Sequence, residues 1–406
     1  MTKIAIMGHG VVGSGVAEVI LQNHENISSR AGQDLEIKYI LDLRDFDNLS
    51  YSDKFIKDFN LIANDEEISI VAEVMGGIEP AYTYVKTCLE KGKSVVTSNK
   101  ELVAAKGAEL LQIARDKGVN FFFEASVGGG IPIIRPLHSC LAANKITEIA
   151  GILNGTTNFI LTKMIREKMD FSAALKMAQE LGYAERNPDA DIKGHDACRK
   201  ICILASLAFG KHVYPESVYT EGITEITLAD VETAGKLGYV IKLIGRAKEE
   251  NSRVSIMVSP ALISKDSQLA GIDDVFNGIL VRGNAIGDVV FYGRGAGKLP
   301  TASAVVADII DAAKAETNDR SLFWVDDSES FVEPFEKITS SFMLRLNGSV
   351  DSYKSAVSDT DTVLLAENGE FTVITPQMSE DEVKNVEAKL AELNVKVLSK
   401  IRVLDY

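Results

Sequence analysis

The sequence predicts an α/β protein whose first domain is a doubly wound parallel sheet, and three observations within residues 1–130 carry that prediction. Short apolar runs lack the polar alternation of a half-exposed strand, helical patterns separate them, and a glycine cluster stands where the first run ends. Strands are expected at Lys3–Met7, Leu35–Leu41, Ser69–Val74, Ser94–Thr97 and Asn120–Ala125, and helices at Gly13–Gln22, Pro80–Lys91 and Glu101–Lys117. An uninterrupted apolar strand must be covered on both faces, which helices on either side of a parallel sheet achieve.

Beyond Gly128-Gly129-Gly130-Ile131-Pro132 the interleaving loosens, which predicts an α+β substrate and dimerisation domain over 131–299. Its expected elements are a strand at Ile146–Leu153, helices from Thr157 and Phe171, and a long helix near Asp191–Phe209. Strands follow at Val240–Ala247, Arg253–Val258, Ile279–Gly283 and Asp288–Tyr292. A helix at Thr301–Lys314, after the glycine-rich turn Tyr292–Gly297, brings 300–317 back onto the first domain (1–130). The acidic, polar composition from Asn318 to about Phe335 predicts a linker over 318–335. Residues 336–406 read as βαββαβ, with strands at Ser341–Leu346, Thr362–Ala366, Phe371–Thr375 and Val395–Val403 and helices at Val350–Val357 and Glu380–Leu393. This is a small ferredoxin-like order.

The formal net charge of −15 opposes a general affinity for nucleic acid or anionic membrane. The longest apolar run, around Ile201–Phe209, is too short to span a bilayer, and Met1–Met7 reads as a strand rather than a leader, so a cytoplasmic location is expected. Four cysteines do not make a disulfide framework, and Cys198 and Cys202 have no neighbours at a zinc-binding spacing.

Gly8-His9-Gly10-Val11-Val12-Gly13 fits G-x-G-x-x-G between a strand and a helix, the pattern of a Rossmann-type dinucleotide-binding unit. Gly8 permits the tight turn, Gly10 admits the pyrophosphate to the backbone, Gly13 permits close helix–strand packing, and free N–H groups near Val11 and Val12 face the anion. Asp42, ending the second strand, suits the adenosine ribose of NAD, whereas Arg44 suits the 2′-phosphate of NADP, and the two cues leave the choice open. Ligands of such sheets meet the carboxyl ends of the strands, where Met75-Gly76-Gly77 and Thr97-Ser98-Asn99-Lys100 stand. These cues point to a NAD(P)-dependent dehydrogenase acting on a small polar substrate.

The charged segment Gly182–Lys200 feeds directly into the apolar Ile201–Phe209, so Lys200 sits where a polar loop enters the core. Asp196 lies one helical turn before it, in position to pair with it. Hydride delivery to an aldehyde creates an alkoxide, which needs a proton donor or cation within reach; a lysine ammonium is both.

The loop Gly8–Gly13, Val95–Lys100 (VVTSNK), Glu124–Pro132 (EASVGGGIP), Gly151–Asn158 (GILNGTTN) and Gly182–Lys200, in that order over residues 1 to about 315, resemble the homoserine dehydrogenases. The resemblance implies reversible reduction of L-aspartate 4-semialdehyde to L-homoserine by NADH or NADPH. It implies that Lys200 exchanges the proton, Asp196 supports it, and Lys100 serves catalysis and cofactor binding. Glu185 would bind the substrate ammonium, with Tyr183, Thr156 and Asp191 also facing the substrate. Thr97, Ser98 and Gly297 would join the cofactor site. Glu124 and the backbone carbonyls of Val127, Gly129 and Ile131 would hold a structural monovalent cation, sodium, and the chain would form a homodimer or homotetramer. The rival readings are a silent amino-acid-sensing paralogue and another amino-acid dehydrogenase on this fold.

The C-terminal order resembles the ACT domains that many members carry. Its first turn, Leu346-Asn347-Gly348-Ser349-Val350, lacks the acidic and proline-glycine residues of an effector loop, so an ACT-like module for assembly, insensitive to threonine, is the expectation.

Overall fold

In Ile4-Ala5-Ile6-Met7 every residue is buried, so the strand that carries them needs cover on both faces. The structure, a computed structural model, describes residues 1–314, 322–327, 331–357, 362–367 and 369–406. Its first domain runs β1 (Thr2–Met7), α1 (Val11–Gln22), α2 (His24–Ala31), β2 (Leu35–Leu41), β3 (Phe55–Ile56) and α3 (Asn60–Ala63). It continues β4 (Ile68–Glu73), α4 (Ala81–Glu90), β5 (Ser94–Thr97), α5 (Lys100–Lys117) and β6 (Phe121–Phe122). The six strands are parallel in the order β3-β2-β1-β4-β5-β6. The strands are added to one side of β1 and then, from β4, to the other, and this switch opens the ligand crevice above Met7 and Glu73. The strand expected over Asn120–Ala125 ends early, because Ser126 turns back onto the carbonyl of Phe123 with both its N–H (3.0 Å) and its hydroxyl (2.7 Å).

The second domain contains β7 (Ile146–Ile152), α6 (Gly155–Glu167), α7 (Phe171–Glu180), α8 (Asp189–Ile192), α9 (His195–Phe209), β8 (Tyr219–Thr220) and α10 (Leu228–Lys236). It then forms β9 (Tyr239–Glu250), β10 (Arg253–Ser264), β11 (Phe276–Gly283) and β12 (Gly287–Arg294). The helix expected from Asp191 to Phe209 is two helices. Gly194 breaks it at φ +84°, and a Cβ there would come within 3.0 Å of the Thr220 methyl, so the break is fixed by both conformation and space. α11 (Lys298–Lys314) then packs on α1, where a Cβ on Gly15 would stand 2.8 Å from the Lys298 carbonyl.

The last segment runs β13 (Thr339–Asn347), α12 (Val350–Ala356), β14 (Thr362–Glu367), β15 (Glu370–Ile374), β16 (Met378–Ser379), α13 (Glu380–Glu392) and β17 (Lys396–Leu404). Its order β17-β13-β15-β14 is the ferredoxin-like arrangement. The module does not hang free. β17 pairs in parallel with β10, from Ala261 opposite Arg402 to Ile263 opposite Leu404, so both domains share one mixed sheet. Arg345 also reaches Asp230 at the start of α10 (3.1 Å), and Arg402 reaches Glu221 (2.9 Å).

Of the expected linker, 318–321 and 328–330 lie outside the described residues, as do 315–317 of the returning segment. The described part differs from a loose connection. Trp324 is 1% exposed, donates from Nε1 to His212 Nδ1 (2.9 Å), and covers Gly107 of α5 so closely that a Cβ there would approach its ring to 2.6 Å. A large apolar ring within a polar run needed burial, and the end of α9 beside α5 supplies it. Trp324→Ala should therefore destabilise the protein by about 3–5 kcal/mol, as large core truncations do. Urea unfolding followed by circular dichroism measures this; a loss below about 1 kcal/mol, the range of surface changes, would mean that the segment is only a tether.

Candidate active site

The cofactor loop follows from three glycines in sequence. Gly8 stands at φ +100°, and a Cβ on Gly13 would fall 2.0 Å from the Gly8 carbonyl oxygen, so α1 touches the loop that precedes it. A Cβ on Gly10 would meet nothing within 4 Å, so the backbone there opens on free space. No acidic residue occupies the first turn of α1, whose exposed N–H groups at Val11 and Val12 therefore suit a pyrophosphate. Gly297 precedes α11 at φ +130°, and the Lys298 carbonyl beside Gly15 brings it near this loop. These features fit a dinucleotide.

Asp42 and Arg44, the two opposed cofactor cues, are paired with each other. The Arg44 guanidinium donates to both carboxylate oxygens of Asp42 (Nε 2.9 Å, Nη2 2.9 Å), and the His9 N–H adds a third bond (2.8 Å). The Arg44 side-chain hydrogen bond is the main reason that the Asp42 carboxyl lies well below the ordinary carboxylate range.

At the carboxyl ends of β4 and β5, Thr97 does not turn its hydroxyl outward. It donates to Glu73 Oε2 (2.6 Å), while the Ser98 N–H donates to the Glu73 carbonyl (3.3 Å). Asn99 caps α5 through the Leu102 N–H (3.1 Å), which places Lys100 at the first turn.

Lys100 and Lys200 converge on one carboxylate. Lys200 Nζ donates to the Leu153 carbonyl (2.7 Å) and to Asp196 Oδ2 (2.8 Å), and Lys100 Nζ forms an ion pair with Asp196 Oδ1 (2.5 Å). Arg199 and Glu101 (3.2 Å) make a second tie between α9 and α5. Lys200 is 7% exposed, and burial holds its ammonium below the ordinary lysine range; the charge of Lys100 adds to this and Asp196 opposes it. For Asp196, burial favours protonation, but the charges of Lys200 and Lys100 outweigh it and leave the carboxyl well below its usual range. For Lys100, burial is likewise outweighed by the charge of Asp196, and its affinity for the proton rises. An ammonium has three N–H bonds. Two of those on Lys200 are held by protein oxygens, and among the described residues none accepts the third.

Asn154 was missing from the residues expected at the site. Its amide donates to Asp191 Oδ1 (2.7 Å) and Asp196 Oδ2 (2.9 Å), and its oxygen accepts from the Thr157 N–H (2.9 Å) to cap α6. The capping position was legible from Asn154-Gly155-Thr156-Thr157; its reach to acids 37 and 42 residues away was not. Asp191 is pushed above the ordinary carboxylate range by burial and by the charge of Asp196. Thr156 donates to the Tyr183 carbonyl (2.7 Å). Tyr183 is exposed, with its ring 5.1 Å from Phe159, and Glu185 is exposed, so neither is packed into the lysine cluster.

The expected cation loop is divided in its fit. The Glu124 carboxylate accepts from the N–H groups of Ile133 (2.6 Å), Ile134 (2.9 Å) and Arg135 (2.9 Å) and from Arg135 Nε (3.2 Å), so it is already committed. Of Glu124, the main-chain carbonyl is what remains to offer. Among the described residues no hydrogen bond ends on the carbonyls of Val127, Gly129 or Ile131, which suits an oxygen cage for a hard cation.

Two family models match the chain: "Homoserine dehydrogenase, NAD binding domain" over residues 8–124 and "Homoserine dehydrogenase" over 132–310. A homoserine dehydrogenase of Synechocystis is 46% identical over 318 residues, 76% of this chain and 72% of that protein. One of Helicobacter pylori is 41% identical over 367 residues, 90% and 86% of the two chains. The crystal structure of the Thiobacillus denitrificans homoserine dehydrogenase matches with a TM-score of 0.92 at 35% identity, covering 100% of this chain and 98% of that one. A hyperthermophilic archaeal homoserine dehydrogenase in complex with NADPH matches with a TM-score of 0.67 at 30% identity, covering 78% and 99%.

Asn154→Ala tests the site's geometry. The cap alone is worth about 1 kcal/mol of stability. Because the same amide also holds Asp191 and Asp196, kcat should fall at least about tenfold. Steady-state kinetics beside a denaturation curve separates the two effects; an unchanged kcat with lost stability would reduce Asn154 to a helix cap.

Proposed function

The chain belongs to the homoserine dehydrogenase family, oxidoreductases that interconvert L-homoserine and L-aspartate 4-semialdehyde with a nicotinamide dinucleotide, and we propose that Lys200 is the group that exchanges the proton with the reacting oxygen. One observation carries this reading. The Lys200 ammonium is buried between the Leu153 carbonyl and a carboxylate shared with Lys100, with one N–H left over.

Held on the loop Gly8–Gly13, a nicotinamide dinucleotide would supply or accept the hydride at the substrate's reacting carbon. As negative charge develops on the oxygen, the free N–H of Lys200 donates to it, and burial makes that ammonium a readier acid than an exposed lysine. In the reverse direction the neutral amine takes the hydroxyl proton. Asp196 keeps Lys200 oriented along α9, and Lys100 holds the second oxygen of Asp196 from the nucleotide domain. At the other end of the substrate, the N–H groups opening α6 at Gly155 and Thr156 suit the carboxylate, and Asp191 and the exposed Glu185 suit the ammonium.

Either nicotinamide cofactor fits this reading. Asp42 offers acceptors to a ribose, and Arg44, 62% exposed in its side chain, meets a 2′-phosphate by giving up Asp42. A solved relative bound NADPH. Sodium on the carbonyls of Glu124, Val127, Gly129 and Ile131 would brace the turn between the two domains and take no part in the chemistry. Self-assembly into a homodimer or homotetramer belongs to the same reading, with the C-terminal module as an ACT-like structural element. Its first turn is closed: the Gly348 N–H donates to the Gly369 carbonyl (3.1 Å), and a Cβ on Gly348 would come within 3.1 Å of Val395 Cα.

Lys200→Met decides the assignment. Turnover of aspartate semialdehyde with NADH or NADPH should fall by about three orders of magnitude or more, within the range of lost acid–base catalysis, while dinucleotide binding stays near wild type. A variant that keeps most of its kcat removes Lys200 from the proton transfer.

A further inference from the structure

We propose that Glu73, the last residue of β4, is a positioning residue that locks the two strand-end loops of the nucleotide crevice together and thereby sets the place of Lys100. The proposal rests on the reading above, in which Lys100 and these loops border the reacting groups. Glu73 is wholly buried at the end of a strand whose other buried residues are all apolar, Ile68-Ser69-Ile70-Val71-Ala72-Glu73. Fold stability alone would be served there by another aliphatic side chain, and among the described residues no salt bridge neutralises it.

Its hydrogen bonds explain its presence. Oε1 accepts from the N–H groups of Met75 (2.8 Å) and Gly76 (3.4 Å), which fixes the loop after β4 where Gly76 and Gly77 take left-handed conformations. Oε2 accepts from the Thr97 hydroxyl (2.6 Å) in the loop after β5. The Thr97 oxygen in turn accepts from the Asn99 N–H (2.9 Å), and the Asn99 amide returns to the first loop through the Gly77 carbonyl (2.6 Å). The bonds close a ring, Glu73–Thr97–Asn99–Gly77, with Asn99 also capping α5 one residue before Lys100. From Lys100 the connection passes to Asp196 and so to Lys200. A neutral amide could not reproduce the ring. Glutamine with its oxygen toward Met75 and Gly76 would leave the Thr97 proton without its acceptor, and with its oxygen toward Thr97 would turn its NH₂ onto the two N–H groups.

The geometry makes Glu73 act through Lys100, which a double-mutant cycle reads directly. Glu73→Gln should lower kcat about tenfold in the otherwise intact enzyme, and by less than about twofold when added to Lys100→Met, because the path is already cut. The affinity for NADPH, titrated by its fluorescence without substrate, should fall by a smaller factor than kcat. Thr97→Val opens the same ring from the other side with a side chain of equal shape, and should reproduce the pattern even if Glu73→Gln folds poorly. Losses that multiply in the cycle, or wild-type kcat in either single variant, overturn the proposal. Wild-type turnover of aspartate semialdehyde tests the underlying reading separately. An inactive wild type removes both, whereas an active wild type indifferent to these changes removes only the role of Glu73.

Discussion

The structure depends on one buried carboxylate held by two ammonium groups. Asp196 takes Lys200 from its own helix on one oxygen and Lys100, from the helix that follows β5, on the other. Buried charges are costly to desolvate and survive only when their partners are well placed, so this contact dictates how the nucleotide domain and the substrate domain meet. Two cations and one ionised acid also leave an excess of positive charge at the strand ends. That excess is what a developing alkoxide needs, in a place where little water competes. Burial, and then the charge of Asp196, hold the Asp191 carboxyl above its ordinary range.

The surrounding elements read as means of holding that contact. α9 begins where Gly194 allows a sharp break, so Asp196 and Lys200 fall in its first turns rather than midway along a longer helix. Asn154 fastens Asp191 and Asp196 to the start of α6. Trp324 fills the space between the middle of α5, at Gly107, and His212 in the chain just beyond α9. The shared sheet through β10 and β17 makes the C-terminal module part of the same body, with Arg402 reaching Glu221 close to the Gly194 break.

Features encoded by neighbours in sequence were legible in advance. The glycine spacing at Gly8–Gly13, the apolar strands, and the entry of Lys200 into a buried helix all arise within a few residues, where backbone conformation and periodicity decide the outcome. The ferredoxin-like order was legible for the same reason. Contacts between distant segments were not. Nothing local shows that the Asn154 amide reaches Asp191 and Asp196, or that the Glu124 carboxylate is consumed by the N–H groups of Ile133 to Arg135. Two signals were available and unread: an acid ending an apolar strand at Glu73, and the single tryptophan of the chain within a polar stretch. Each marks a side chain that must find a buried partner.

Burial and Lys100 lower the proton affinity of Lys200, while Asp196 restrains the fall. Its most direct measurement is the titration of Lys200 by NMR of isotopically labelled lysine side chains in the free enzyme, assigned with Lys200→Met. The midpoint should lie below the free lysine value of about 10.4. It should fall further in Asp196→Asn, where the opposing negative charge is gone. A Lys200 that titrates at or above the ordinary value, or that rises when Asp196 is neutralised, would contradict it.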